Sequence, residues 1–342
     1  MTLMNLLIEW LSMILSMNKK VLVTGGLGYI GSHTVIKLYE NGFEPIIIDN
    51  LSNSDISILD KIEDIIGVKP IFYELDIQKH TIEIAQILLK EKVEYAIHFA
   101  GYKSVKESVN KPIKYFSNNI NSTIQLLYAL QVAGVKKMIF SSSATVYGEA
   151  ESFPVTEDTI RKRPINPYGE SKYICEDIIE STCKFTDLSA VVLRYFNPIG
   201  SHKSGTLNEN PKGVPENLMP YIQRVIKGEY KELTIFGSDY NTHDGTCIRD
   251  YIDVNDLAQA HIDALKICKD EYKVYNIGSG NGYSVMDLID AFAKQGLIVP
   301  YKIGNRRAGD IEKIYADISK AKKELGWQPT VSLEDSIRSF IK

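Results

Sequence analysis

Residues 20–32 read KVLVTGGLGYIGS. Val21–Val23 is apolar at every position, and Gly25, Gly28 and Gly31 follow where a helix-period segment begins at Ile30. A strand that is apolar on consecutive residues is buried on both faces, as happens when helices cover both sides of a parallel sheet. Glycines between such a strand and a helix let the chain turn tightly and set backbone N–H groups against a diphosphate. Asp49 ends the next apolar run, EPIIIDN, about twenty residues on, where a carboxylate accepts ribose hydroxyls. It also repels a 2′-phosphate, and Asn50, Leu51, Ser52, Asn53, Ser54 and Asp55 bring no base to offset that. The pattern predicts a dinucleotide site that prefers NAD to NADP.

Further runs, PIFYELD, YAIHFAG, KKMIFSSS and SAVVLRYFN, read as buried strands. Ile30–Glu40, Ile113–Ala133 and Tyr168–Lys184 have the length and period of crossover helices. The fold class is α/β, a doubly wound parallel sheet. Strand ends then share one edge, which brings Asp76 and Ile77, then Phe99, Ala100, Gly101 and Lys103, then Ser143, beside the glycine turn. Asn118 lies on a helix that can face the same edge, although taken alone it reads as a capping or packing residue. After Asn197 the loops lengthen and fill with Gly, Pro and Asn, as in HKSGTLNENPKGVPENLMP. A smaller substrate domain is expected from residue 198 to 342, after a nucleotide domain over 20–197. YIDVNDLAQAHIDALK reads as a helix entered through a strand that returns to the main sheet.

The 342 residues carry a net charge of −4, and 44% are hydrophobic. With a pI near 5.9 and mixed signs along the chain, there is no footprint for a nucleic-acid backbone. The four cysteines, Cys175, Cys183, Cys247 and Cys268, lack metal-ligand or disulfide spacing, which points to a reducing cytoplasm and no metal. Residues 1–19 form an extension. Leu3, Leu6, Leu7, Trp10, Leu11, Ile14 and Leu15 recur at helical spacing, opposite Asn5, Glu9, Ser12 and Ser16. Lacking a basic start and a cleavage site, the segment is a poor signal peptide. Two readings stand: an upstream start before an initiator at Met17, and a helix that docks on a surface or membrane. No integral membrane association is expected.

NPYGESKY places Tyr168 and Lys172 four apart, on one helix face. An ammonium and a positively charged nicotinamide both favour a phenolate, which lets Tyr168 serve as a base near neutrality, and Lys172 can also hold the nicotinamide ribose. Ser143, in IFSSSATVYG, is placed to hydrogen-bond the reacting oxygen.

TGGLGYIGSH, Asp49 with LSNS, HFAGYKSVKESV, SSSATVYG, NPYGESK, LRYFNPIG, NLMPYI and RDYIDV occur in this order. From Lys20 onward the chain resembles the UDP-glucose 4-epimerases of the extended short-chain dehydrogenase/reductase superfamily. The resemblance implies a Rossmann-type sheet with a smaller mixed α/β substrate domain, bound NAD, a homodimer built through the helices around 113–133 and 168–184, and a role in galactose metabolism. It implies that Tyr168 takes the proton of the sugar 4-hydroxyl while hydride passes from C4 to NAD⁺. The 4-keto sugar then turns and takes the hydride back on its other face, so UDP-galactose and UDP-glucose interconvert. Tyr29, Ile30, Asn50, Leu51, Ser52, Asn53, Ser54 and Phe196 fall at the family's cofactor positions. Arg249 and Arg307 match positions that clamp the diphosphate, and guanidinium forks suit its oxygens. Asn197, Asn217, Leu218, Thr234, Ile235, Phe236, Tyr251 and Asp310 match positions around the sugar, uracil or ribose. In GDIEKIYAD, Ile314 stands where the family often has tyrosine. The smaller side chain predicts room for an N-acetyl group, so UDP-GlcNAc and UDP-GalNAc become candidate substrates unless Tyr315 refills the space.

A nucleotide-sugar 4,6-dehydratase would share the cofactor site but needs an acid and a base after the strand-end serine. Ala144 and Thr145 occupy those places. A non-catalytic NAD-binding regulator on the same fold would have no use for the set Ser143, Tyr168 and Lys172.

Overall fold

The computed structural model describes residues 19–211, 213–215, 217–269, 271–307 and 310–341. Residues 1–18, with the extension's expected helix, lie outside the described residues. The first strand β1 (Lys19–Thr24) passes through the glycine turn into α1 (Tyr29–Glu40). There follow β2 (Phe43–Asp49), α2 (Ser57–Ile66), β3 (Ile71–Glu74), α3 (Thr81–Glu91) and β4 (Tyr95–His98). Short helices α4 (Val105–Asn110) and α5 (Pro112–Tyr115) lead to a π-helical turn (Phe116–Ile120) and α6 (Asn121–Ala133). Next come β5 (Lys137–Ser143), α7 (Pro167–Phe185) and β6 (Ser189–Tyr195).

The main sheet runs β11-β6-β5-β4-β1-β2-β3, where β11 is Tyr272–Ile277. Every pairing in it is parallel, from Lys19↔Phe43 between β1 and β2 to Tyr272↔Ala190 between β11 and β6. The continuous apolar runs resolve into two faces, because successive strand side chains point to opposite sides. Val21, Val23, Ile47, Ile97, Ile139 and Val191 pack with Val35, Ile36 and Leu38 of α1 and Leu59 and Ile62 of α2. Their neighbours Leu22, Ile46, Ile48, Ala96, Met138 and Val192 pack with Ile84 and Leu88 of α3, Leu126 and Leu130 of α6, and Cys175 and Ile179 of α7. Slipping one strand by a residue would exchange its two sets, so the double-sided core fixes the register.

The remaining elements are β7 (Asn197–Ile199), α8 (Leu218–Ile226), β8 (Leu233–Phe236), β9 (Ile248–Arg249), β10 (Tyr251–Asp253), α9 (Val254–Ile267), β12 (Tyr283–Ser284), α10 (Val285–Lys294), β13 (Tyr301–Gly304), β14 (Lys313–Ile314) and α11 (Leu333–Ile341). A third core of Met219, Ile222, Leu233, Ile235, Leu288, Phe292, Ile337 and Phe340 holds this half together. The expected strand-entered helix is β10 leading into α9, and α9 packs against α1 on the main sheet. The strand that joins the sheet is the next one, β11, so residues 272–277 cross back to the first half. The helix expected over Ile113–Ala133 runs without interruption and carries a π-helical turn, an insertion that recurs at functional sites.

The order reverses at β1, whose neighbours are β4 and β2. Chain crossing away from β1 in both directions opens a crevice at the carboxyl ends of the strands, where ligands bind in such sheets.

Candidate active site

The glycine turn is built for close approach. Gly25 has φ +68°, and a Cβ on it would meet Ala100 N at 2.8 Å. A Cβ on Gly31 would lie 2.3 Å from Gly25 O and 2.9 Å from Gly26 Cα. Both obstacles are backbone, so α1 can start against the sheet only with hydrogen there. Asp49 is 8% exposed and takes Leu27 N–H at 3.2 Å, Leu51 N–H at 3.0 Å and Ser54 Oγ at 2.8 Å. These donors fix the carboxylate at the rim of the turn, the geometry a dinucleotide ribose requires. The cradle therefore fits NAD.

A cleft of about 1320 Å³ runs from this turn to the second half. It brings together every candidate residue read from the sequence except Leu51. Leu51 turns the chain instead, at φ +56°. Asp76 accepts Gln78 N–H at 3.0 Å and Ile77 is buried beside it. Asn118 sits in the π-helical turn and accepts Gln78 Nε2 at 3.1 Å. Its neighbour Asn119, buried, clasps the loop after β4 through Tyr102 N (2.8 Å) and O (3.0 Å), and reaches Ser171 Oγ on α7 at 2.9 Å. The turn thus presents Asn118 to the cleft while Asn119 locks it.

α7 starts at Pro167 with Asn166 as its cap, whose Oδ1 accepts Gly169 N–H at 2.8 Å. Its face repeats every four residues onto the end of β5. Lys172 Nζ donates to Ser141 O at 2.6 Å, and the fully buried Glu176 accepts Ser142 Oγ at 2.5 Å. Arg194 and Arg161 neutralise that carboxylate. One turn earlier, Tyr168 reaches Ser143, whose hydroxyl lowers the phenol's pKa against the larger upward pull of burial. Ser143 Oγ also accepts Thr145 Oγ1 at 3.0 Å.

The Lys172 ammonium gives one of its three N–H donors to the Ser141 carbonyl and lies 4.8 Å from the Phe140 ring. Burial brings it down to about 8, partly opposed by Cys175 and Glu176. Tyr168 stays above its usual range, with burial first among the causes and Ser143 the only group that lowers it. Lowering it further falls to a positive charge brought by a ligand.

Across the cleft, Arg307 forks onto Asp310 at 2.7 and 3.1 Å, and Arg249 Nη2 approaches the same carboxylate at 3.9 Å. Asp310 thereby gathers two guanidinium groups at the mouth. Phe236 is 43% exposed there, with Arg307 over its ring at 5.6 Å. Thr234, Ile235, Tyr251, Asn197, Leu218 and Asn217 continue the wall, and Phe196 is buried beneath it. Ile314 is buried in β14, paired with Arg249 of β9, and lines the cleft. Tyr315 stacks on Phe153 at 6.0 Å and is not among the lining residues. The space beside Ile314 is therefore not refilled by its neighbour.

Two residues escaped sequence reasoning. Tyr195 lines the cleft, its hydroxyl 2.5 Å from His261 Nε2. Glu209 accepts Lys103 Nζ at 2.6 Å and Asn217 Nδ2 at 2.7 Å. A lone glutamate in a polar loop gives no periodic signal.

A doubly wound sheet with a glycine cradle, a ribose carboxylate and a Ser-Tyr-Lys set defines the dinucleotide-dependent epimerase and dehydratase class. Residues 22–340 match the family model described as GDP-mannose 4,6 dehydratase. The UDP-glucose 4-epimerase of Haemophilus influenzae is 46% identical over 92% of this chain and 94% of its own. The structure of UDP-glucose 4-epimerase from Bifidobacterium longum, in complex with NAD⁺ and UDP, superposes with a TM-score of 0.91 at 45% identity, covering 94% of this chain and 97% of that one. The UDP-Glc/GlcNAc 4-epimerase of Campylobacter jejuni gives 0.81 at 34%, covering 94% and 98%. The chain belongs to the UDP-glucose 4-epimerase family.

Proposed function

We propose that this chain interconverts UDP-galactose and UDP-glucose, using NAD, as a step of galactose and nucleotide-sugar metabolism. The observation that carries this reading is the Tyr168–Ser143 pair inside a cleft with the dinucleotide cradle at one end and Arg249 and Arg307 at the other. Accepting a hydride from C4 of the hexose and returning it is the chemistry NAD supplies when bound. Gly25, Gly28, Gly31 and Asp49 hold its diphosphate and ribose, with Phe99, Ala100, Gly101, Lys103 and Asn118 along its path. Tyr168 takes the 4-hydroxyl proton and gives it back, and Ser143 orients that oxygen. Lys172 pins α7 to β5 so that the two hydroxyl groups meet. Arg249 and Arg307 grip the UDP diphosphate in place of Asp310, while the hexose is left free to turn between oxidation and reduction. Elimination of water is not served: Ala144 has no proton to move, and the Thr145 hydroxyl is committed to Ser143.

The wall at Ile314 favours a broader substrate range that includes UDP-GlcNAc and UDP-GalNAc. The Campylobacter jejuni relative, named for both UDP-Glc and GlcNAc, supports it. The active unit is a homodimer. Ile124, Tyr128 and Val132 form an exposed stripe on α6, and Ile113 and Phe185 are exposed as well, apolar surface that a second copy would cover. The compartment is the cytoplasm, in keeping with four unpaired thiols. Among the described residues, no helix is long and apolar enough to cross a membrane.

The test is a discontinuous assay of the purified protein with each UDP-sugar and no added NAD. Conversion of UDP-galactose to UDP-glucose, abolished in Tyr168→Phe with NAD still bound, is expected. A wild type that fails to convert UDP-galactose even after NAD is supplied refutes the reading.

A further inference from the structure

Ser143 is held from both sides by one buried ion pair. On its amino side, Ser142 donates its hydroxyl to Glu176 Oε1 at 2.5 Å. On its carboxyl side, the 3₁₀ turn Ala144–Tyr147 ends at a phenol that accepts Arg194 Nη1 at 3.0 Å and donates to Asn276 Oδ1 at 2.6 Å. Arg194, on β6, forks onto Glu176 with Nε at 3.1 Å and Nη2 at 2.7 Å. Arg161 Nη1 adds a contact at 3.0 Å, so each carboxylate oxygen takes two donors. Ser142, Tyr147, Glu176 and Arg194 are each at most 3% exposed, and neither member of the ion pair lines the cleft. Glu176 lies about two turns along α7 from Tyr168. The pair therefore controls both partners of one contact, Tyr168 through its helix and Ser143 through its chain neighbours.

A buried ion pair adds little stability, because removing both charges from water costs about as much as their attraction returns. A forked guanidinium–carboxylate contact instead fixes direction. We infer that Glu176 and Arg194 are positioning residues that set the Tyr168–Ser143 contact for proton transfer. The inference rests on the epimerase reading. A glutamine at 176 presents one NH₂ where both oxygens accept, so the fork opens and the end of β5 shifts against α7. A misplacement of about 1 Å is worth on the order of 10² in rate. NAD and the UDP group are gripped elsewhere in the cleft, so their binding is spared.

The experiment compares wild type, Glu176→Gln, Arg194→Met and the double variant Glu176→Gln/Arg194→Met. Each is measured in kcat and KM for UDP-galactose, in NAD retention and in unfolding midpoint, and crystal structures of wild type and the double variant give the Tyr168 Oη to Ser143 Oγ separation. Glu176→Gln is expected to lower kcat about 10²-fold, with KM and NAD retention within about threefold. The double variant leaves no buried charge unpaired, since Arg161 keeps Asp177 at 2.6 Å. Its midpoint should return toward wild type while kcat stays low and the two hydroxyl groups stay apart. A purely structural role would restore kcat together with the midpoint. That joint recovery, or wild-type kcat in Glu176→Gln, overturns the inference. If these variants do not fold, Tyr147→Phe frees the carboxyl side of Ser143 with both charges still paired, and wild-type kcat there overturns it equally. A wild type without turnover counts against the proposed reaction instead; the pair is then judged by the separation, and an unchanged one overturns the inference.

Discussion

Replacing Lys172 with methionine should make the protein more stable while removing its activity. The ammonium is buried, and apart from the Phe140 ring its partner is one carbonyl, Ser141 O at 2.6 Å. Burial brings the group down from 10.5 to about 8, which at about 1.36 kcal/mol per pH unit represents about 3 kcal/mol of native-state penalty at neutral pH. Methionine has nearly the same length and fills the channel without charge, but forfeits the bond to Ser141, worth about 1 kcal/mol. The net gain at pH 7 is about 2 kcal/mol. Because the folded value lies below the unfolded one, the unfolded chain binds more protons between pH 8 and 10.5, and wild-type stability rises with pH across that window. The gain of the variant should therefore be full below pH 8 and fade as pH climbs to 10.5. Urea denaturation of NAD-free protein at a series of pH values measures it. A variant less stable than wild type at pH 7, or one whose gain is the same at pH 7 and pH 10.5, would refute the reasoning.

Other outcomes follow from the same geometry. Gly31→Ala puts a methyl 2.3 Å from Gly25 O, so the turn must open and displace its N–H groups; NAD retention on gel filtration should fall about tenfold or more, with a loss of about 1–3 kcal/mol in stability. Ser143→Ala removes the hydroxyl that lowers Tyr168, and kcat for UDP-galactose should drop about 10²-fold or more with KM little changed. Ile314→Tyr fills the wall beside the sugar, so turnover of UDP-GlcNAc should decline relative to UDP-galactose; an unchanged ratio of the two kcat/KM values counts against that wall as the determinant.

The first half of the fold was readable because each strand is covered on both sides, and KVLVTG, EPIIID and KKMIFSSS announce this with unbroken apolar runs. β11 was not. YKVYNI carries a lysine and an asparagine, and Asn276 is buried only because Tyr147 Oη at 2.6 Å and Val155 O at 2.9 Å satisfy its amide. No local pattern reveals partners so distant in sequence. The π-helical turn inside the helix over 113–133 was hidden likewise, since FSNNI keeps an acceptable helical pattern and the turn is held by Asn119 bonding to Tyr102 and Ser171. At the site, spacing placed Tyr168 and Lys172 on one face. It could not say where the ammonium points, and the structure turns it toward Ser141. Glu209, which accepts from Lys103 of the first half and Asn217 of the second, became visible only once the two halves of the chain faced each other.

The central claim is that hydride leaves C4 of the hexose and returns to the same carbon without reaching solvent. It is tested most directly by giving the purified protein, in ordinary water and without added NAD, UDP-galactose carrying deuterium at C4. UDP-glucose that retains the deuterium at C4 is the predicted result. Loss of the label to solvent, or no UDP-glucose even after NAD is supplied, would contradict the account.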